Sequence, residues 1–129
     1  MAIPTYKIEK LEVWQISLEL NDFVYGLISV LPDNEKYNLS SQLQRAVTSI
    51  SLNIAEGSTG TTDKEQANFL KFSRRSCMEI IGCTKISLRR EYIREDQELT
   101  MNLLNTANKL FAKLNSFISY LKSEEKGNK

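Results

Sequence analysis

The chain contains no histidine, and only two cysteines, two prolines, five glycines and one tryptophan among its 129 residues. Without histidine it lacks the commonest general base, the Ser–His and Cys–His nucleophile pairs and the mixed Cys/His zinc sites. Cys77 and Cys83 fall six residues apart on one expected helix, about 9 Å along its axis and roughly 120° around it. That is too far for a local disulfide, so they read as small packing residues rather than a redox pair or metal site. No apolar run approaches the roughly 20 residues needed to span a bilayer. The opening Met1–Lys7 segment has no apolar core of the secretory type, so the expectation is a cytoplasmic protein with no membrane partner. A large net charge is missing too: 17 Lys+Arg stand against 16 Asp+Glu, a formal charge of +1. This excludes a protein that coats nucleic acid through its overall charge. Gly57-Ser58-Thr59-Gly60 lacks the Lys-Ser/Thr that a phosphate-binding loop requires next. No cofactor and no catalytic residue is expected, and the chain is read as not an enzyme.

What is present is helix-forming sequence. Proline occurs only at 4 and 32, and the long intervals are rich in Leu, Ile, Ala, Glu, Lys and Gln. Sustained period-two alternation is absent, so no strand is predicted. One domain over 1–129 is expected, with helices at about 9–30, 40–57, 63–91 and 96–123 and a tail at 124–129. Pro32 and Asp33-Asn34 stop the first helix, Ser40 caps the second and Gly57 ends it. Thr62 and Glu65 have capping-box spacing at the start of the third, and Asp96 caps the fourth. On helix four Leu99, Leu103, Ala107, Leu110, Leu114, Phe117 and Leu121 form a seam of coiled-coil type. Short connections between long helices favour antiparallel neighbours, giving an all-α, antiparallel up-down-up-down four-helix bundle.

Three surface features stand out. Helix one carries two apolar stripes: Val13, Ile16, Leu20, Phe23, Val24, Leu27 and Leu31, and, centred roughly 155° away, Leu11, Trp14, Leu18 and Tyr25. The second stripe predicts a homo-oligomer interface; alternatively the chain around Ile3 and Tyr6 folds back over Trp14. Helix two presents Gln42, Arg45, Ser49, Asn53 and Glu56 within about 80°. Antiparallel packing sets Arg45 level with about Arg75 to Glu79 of helix three, which allows an Arg45–Glu79 pair. This polar stripe is either a ligand groove or an interhelical hydrogen-bond ladder that fixes register. Residues 64–94 hold eight basic and three acidic side chains, whereas residues 1–63 hold four basic and eight acidic. On helix three Lys64, Lys71, Arg74, Arg75, Lys85 and Arg89 share an arc of roughly 100° free of acids. Such a stripe can bind RNA or DNA phosphates, or it is a solvated or charge-neutralised face. No base-stacking aromatic falls within the arc.

The residues around these features form a wider pattern. Leu11-Glu12-Val13-Trp14-Gln15 is followed by Pro32, Glu35, Tyr37 and Leu39. Then come Gln42, Arg45-Ala46, Ser49-Ile50 and Asn53-Ile54-Ala55-Glu56-Gly57, and on helix three Phe69-Leu70, Ser76 and Glu79, with Tyr92-Ile93 after it. Over roughly residues 8–122 this resembles the bacterial four-helix-bundle proteins encoded in intervening sequences of 23S rRNA genes. The same family includes relatives of the accessory variability determinant of diversity-generating retroelements. The resemblance implies a homopentameric ring with no established catalytic activity. For the accessory-determinant relatives it implies a basic surface that binds nucleic acid, and a reverse transcriptase partner. The family's motif residues map onto Gln42, Arg45, Ser49, Asn53, Glu56, Gly57, Ser76 and Glu79. Where the family commonly has Ala-x-Gly before the helix-three serine, this chain has Ser73, Arg74 and Arg75, which adds a charge to the basic stripe. The expected function is a non-enzymatic, ring-forming bundle that binds RNA or DNA through helix three. The alternative is a structural or protein-binding scaffold that binds no nucleic acid.

Overall fold

The computed structural model describes residues 2–60 and 62–127, with side chains through Glu125. Four helices, α1 (Glu12–Val30), α2 (Leu39–Gly57), α3 (Asp63–Arg89) and α4 (Glu98–Gly127), account for most of the chain, and no strand occurs among the described residues. Of the expected tail, 128 and 129 lie outside the described residues, and α4 runs on through the rest.

The helix ends follow from local chemistry. A 3-10 turn, Lys7–Lys10, precedes α1, and extended backbone at Leu11 separates the two, so α1 starts later than its apolar pattern. The Gln15 side-chain amide donates to the Glu9 carbonyl at 3.0 Å and ties the turn to α1. Leu31 turns extended ahead of Pro32, which cannot donate a backbone hydrogen bond. Ser40 is not the cap of α2. Asn38 holds that position, and its side chain donates to Glu35 at 3.0 Å rather than capping. Thr62 caps α3, its hydroxyl accepting from the Glu65 amide at 3.2 Å. α3 ends two residues earlier than expected because Glu91 adopts the left-handed conformation, φ 63°. That conformation lets the Tyr92 amide reach back to the Ser87 carbonyl at 3.0 Å, closing the helix end. Asp96 does not cap α4 either: it pairs with Arg94 at 3.1 Å, and the helix begins at Glu98.

Each helix packs against its two neighbours in ring order. The cross-links give the directions. Ser73 of α3 bonds the Ile50 carbonyl of α2, and Ser76 bonds Ser49. Arg74 meets Asn115 of α4, and Cys77 meets the Ala107 carbonyl. Glu12 of α1 pairs with Lys113, and Gly26 lies against Leu99. In every case one number rises as the other falls, so neighbours are antiparallel and the bundle is up-down-up-down. The first apolar stripe of α1 faces the core, with Val13, Ile16, Leu20, Val24 and Leu27 buried. The α4 seam continues through Ile118, 2% exposed, whereas Phe117 lies only partly buried against the core. A strict heptad drifts around a 3.6-residue helix, which is why the burial passes to the neighbouring residue.

Gly57 is buried without a positive φ. A Cβ there would stand 3.1 Å from the Phe69 Cβ. Close approach of α3, rather than turn conformation, accounts for this glycine.

Candidate functional site

The helix-two stripe divides in two. Gln42, Arg45 and Glu56, with Glu79 across on α3, are exposed, whereas Ser49 and Asn53 are partly buried against α3. Asn53 Nδ2 donates to the Ser49 carbonyl at 2.8 Å and to its Oγ at 3.0 Å, and Ser76 Oγ donates to Ser49 Oγ at 3.2 Å. Ser73 Oγ donates to the Ile50 carbonyl at 2.8 Å. These short side chains satisfy one another where α2 and α3 approach, the arrangement that partly buried polar groups require. On the opposite side of α2, buried Ser17 and Ser51 are hydrogen-bonded at 3.0 Å. The Arg45–Glu79 pair is not formed: the ion pairs among the described residues are Arg94–Asp96 and Lys113–Glu12. Both side chains are exposed, where an ion pair gains little over hydration.

On α1, Leu11 and Trp14 pack partly against the core, while Leu18 and Tyr25 are each 44% exposed. The N-terminal segment does not cover this stripe, because Ile3 and Tyr6 themselves remain 85% and 65% exposed. Leu52 of α2 is also exposed. Leu18 and Leu52 each follow a residue of the Ser17–Ser51 pair, and antiparallel helix geometry puts both on the same outer side of the α1–α2 pair.

The basic stripe runs along the outer side of α3. Lys64, Arg75, Lys85 and Arg89 are exposed, and Lys71 and Arg74 sit partly buried where α3 meets α4. None of the six forms an ion pair among the described residues. Arg74 is held by Asn115 of α4, Nη1 to Oδ1 at 2.7 Å. The Arg75 guanidinium lies 5.6 Å from the centroid of the Phe72 ring, itself half exposed. Lys122 of α4 comes up against Lys71, and this like charge, with desolvation and the nearby Arg74, holds the Lys71 ammonium below its ordinary pKa. Beside them a recess of about 360 Å³ is lined by Lys71, Arg74, Arg75, Met78 and Phe111. Farther along the same joint, Lys85 shares a similar recess with Met101, Leu104 and Asn105. Lys122, Asn115 and Phe111 were not among the expected site residues. The antiparallel register that sets Arg74 beside Asn115 was the available signal for them.

Cys77 and Cys83 are free and buried, and burial pushes the Cys77 thiol up to about 12. No group of three His, Cys, Asp or Glu side chains able to hold a metal occurs among the described residues, nor does a helix long and apolar enough to cross a membrane.

The model of the 23S rRNA-intervening sequence protein family matches residues 9–116, which include all four helices for most of their length. The chain belongs to this family. A crystal structure from Bacteroides thetaiotaomicron VPI-5482, a protein with unknown function from the S23 ribosomal protein family, is similar at a TM-score of 0.73 and 26% identity. The similarity covers 82% of this chain and 97% of that one. No curated protein matches the sequence. Neither the family's description nor that neighbour's names an enzymatic activity. Of the family-motif residues, Ser49, Asn53 and Ser76 hydrogen-bond one another between α2 and α3, whereas Gln42, Arg45, Glu56 and Glu79 are exposed.

Proposed function

We propose that this member of the family is a non-enzymatic bundle that binds the phosphate backbone of RNA or DNA through α3 and assembles with copies of itself in the bacterial cytoplasm. One observation carries the first part: six cations lie along one side of α3, and none is paired with an acid among the described residues. Unpaired cations in a row attract a polyanion and release its counterions on binding. Assembly rests on Leu18, Tyr25 and Leu52, apolar side chains left exposed on one side of α1 and α2. The resemblance adds a five-copy ring, which would repeat the α3 stripe around the assembly. A formal charge of +1 sets the chain apart from the strongly basic accessory determinants, so no reverse transcriptase partner is proposed.

A second reading has its own support. Glu12, Glu19 and Asp22 are exposed on α1, and in a ring they could neutralise the α3 stripe of a neighbouring copy, leaving a scaffold that binds no nucleic acid. Titration with a structured RNA and a duplex DNA at about 50 and 200 mM salt separates the two, since phosphate contacts weaken steeply over that range. Binding at low salt that is lost in the Arg75→Glu, Arg89→Glu variant supports the first reading. Binding unchanged in the variant shows that α3 is the wrong surface. Absence of binding at either salt leaves the scaffold.

A further inference from the structure

The α3–α4 joint has more than charge. Its α3 side contributes Lys71 and Arg74, and α4 contributes Lys122 and the Asn115 amide. Apolar surface continues one turn along from the Arg74–Asn115 contact: Met78 is 48% exposed, and Phe111 lines the recess that Lys71, Arg74 and Arg75 border. A cation row whose purpose is solubility needs no apolar floor, and an apolar recess whose purpose is packing would not be left open beside cations.

We infer that this groove takes single-stranded nucleic acid, with phosphates between Lys71, Arg74 and Lys122 and an unpaired base against Phe111 and Met78. The inference rests on the nucleic-acid reading above and deepens it. Three physical points favour a single strand over a duplex. Two packed helices lie about 8–10 Å apart, so the valley between them is narrow. A duplex turns its bases inward and presents a convex rod of phosphates, which would meet the exposed crest at Arg75 and Arg89 and leave Phe111 and Met78 wet. A single strand presents phosphates and base faces together, matching a surface of cations around an apolar floor. Lys71 and Lys122 repel each other while the groove is empty. A phosphate between them relieves that repulsion. Asn115 fixes the Arg74 guanidinium through one of its five N–H donors, leaving the others for the ligand.

The test uses the whole protein and four probes of about 15 nucleotides: oligo-dT, oligo-rU, an abasic strand of the same length and a duplex. At low salt dT and rU should bind about tenfold tighter than the abasic strand, as one stacked base contributes enough for that. Lys71→Gln with Lys122→Gln should weaken dT and rU binding by about tenfold, in line with the loss of two phosphate contacts. Phe111→Leu should narrow the difference between dT and the abasic strand. Met78→Glu, at an exposed position, gives the same readout should Phe111→Leu fail to fold. If the abasic strand binds as well as dT, the groove does not hold a base. If the Lys71/Lys122 variant binds normally while Lys64→Glu, Arg89→Glu, two positions outside the recess, does not, the groove is overturned and phosphate binding by α3 stands. If no probe binds the wild type, both inferences fall.

Discussion

Tyr92 donates its hydroxyl to Glu35 Oε2 at 2.8 Å, across 57 residues of sequence. The bond joins the α1–α2 connection to the α3–α4 connection, and Asn38 adds a second donor to the same carboxylate. These bonds, Tyr92 first, hold Glu35 below its ordinary carboxylate pKa of 4.5. A carboxyl group whose folded pKa is depressed stabilises the fold above its unfolded pKa, and that stabilisation is lost as pH falls through the folded value. Glu35→Gln should therefore be less stable than wild type near neutrality, and the gap should close below about pH 4.5, toward and past the depressed folded pKa. Denaturant midpoints taken from pH 3 to 7 measure it; parallel curves for the two proteins would show that the bond contributes nothing. Residue-level chemistry of this sort was partly hidden in the sequence. Glu35 and Tyr92 both stand in the family pattern, but only the folded register makes them partners. Gly57 was legible as a helix end, although the reason for glycine there, the Phe69 Cβ at 3.1 Å, depends on how α3 lies.

Among the elements, α1 has the most unfinished business with solvent. Its first stripe is buried, whereas the second leaves Leu18 and Tyr25 exposed. Periodicity alone revealed both stripes, since each follows the 3.6-residue repeat. The later start of α1 was not legible, because extended Leu11 interrupts an apolar pattern that itself continues. If the second stripe is an interface, Leu18→Asp with Tyr25→Asp should convert an assembly into monomer while leaving helix content intact. Light scattering at micromolar concentration is the check, and a monomeric wild type would end the interface argument. The basic side of α3 was read from its arc, yet half of the groove beside it comes from α4. Helix-by-helix reading cannot find such a site; only the register that sets residue 74 against 115 brings Lys122 to Lys71.

For the molecule as a whole, a charge of +1 conceals a separation: an acidic first half and a basic third helix. Their fields are oriented, so association with a polyanion depends on which side approaches. The up-down-up-down path gives the bundle two unlike ends. At one, Glu35 and Tyr92 fasten the two connections together. At the other lie the α2–α3 connection, the start of α1 and the last turns of α4. Beyond Asn115 no side-chain hydrogen bond among the described residues ties α4 to its neighbours. That last part of α4 is held by packing alone, with Leu114, Ile118 and Leu121 buried, and Lys71 and Lys122 sit beside it. A polyphosphate strand laid across them would act as a temporary clasp, so binding and folding become linked in a position-dependent way. Amide exchange should then slow most in the last turns of α4 when oligo-dT is bound, and little around Tyr92. Protection spread evenly over all four helices would mean that the clasp is elsewhere.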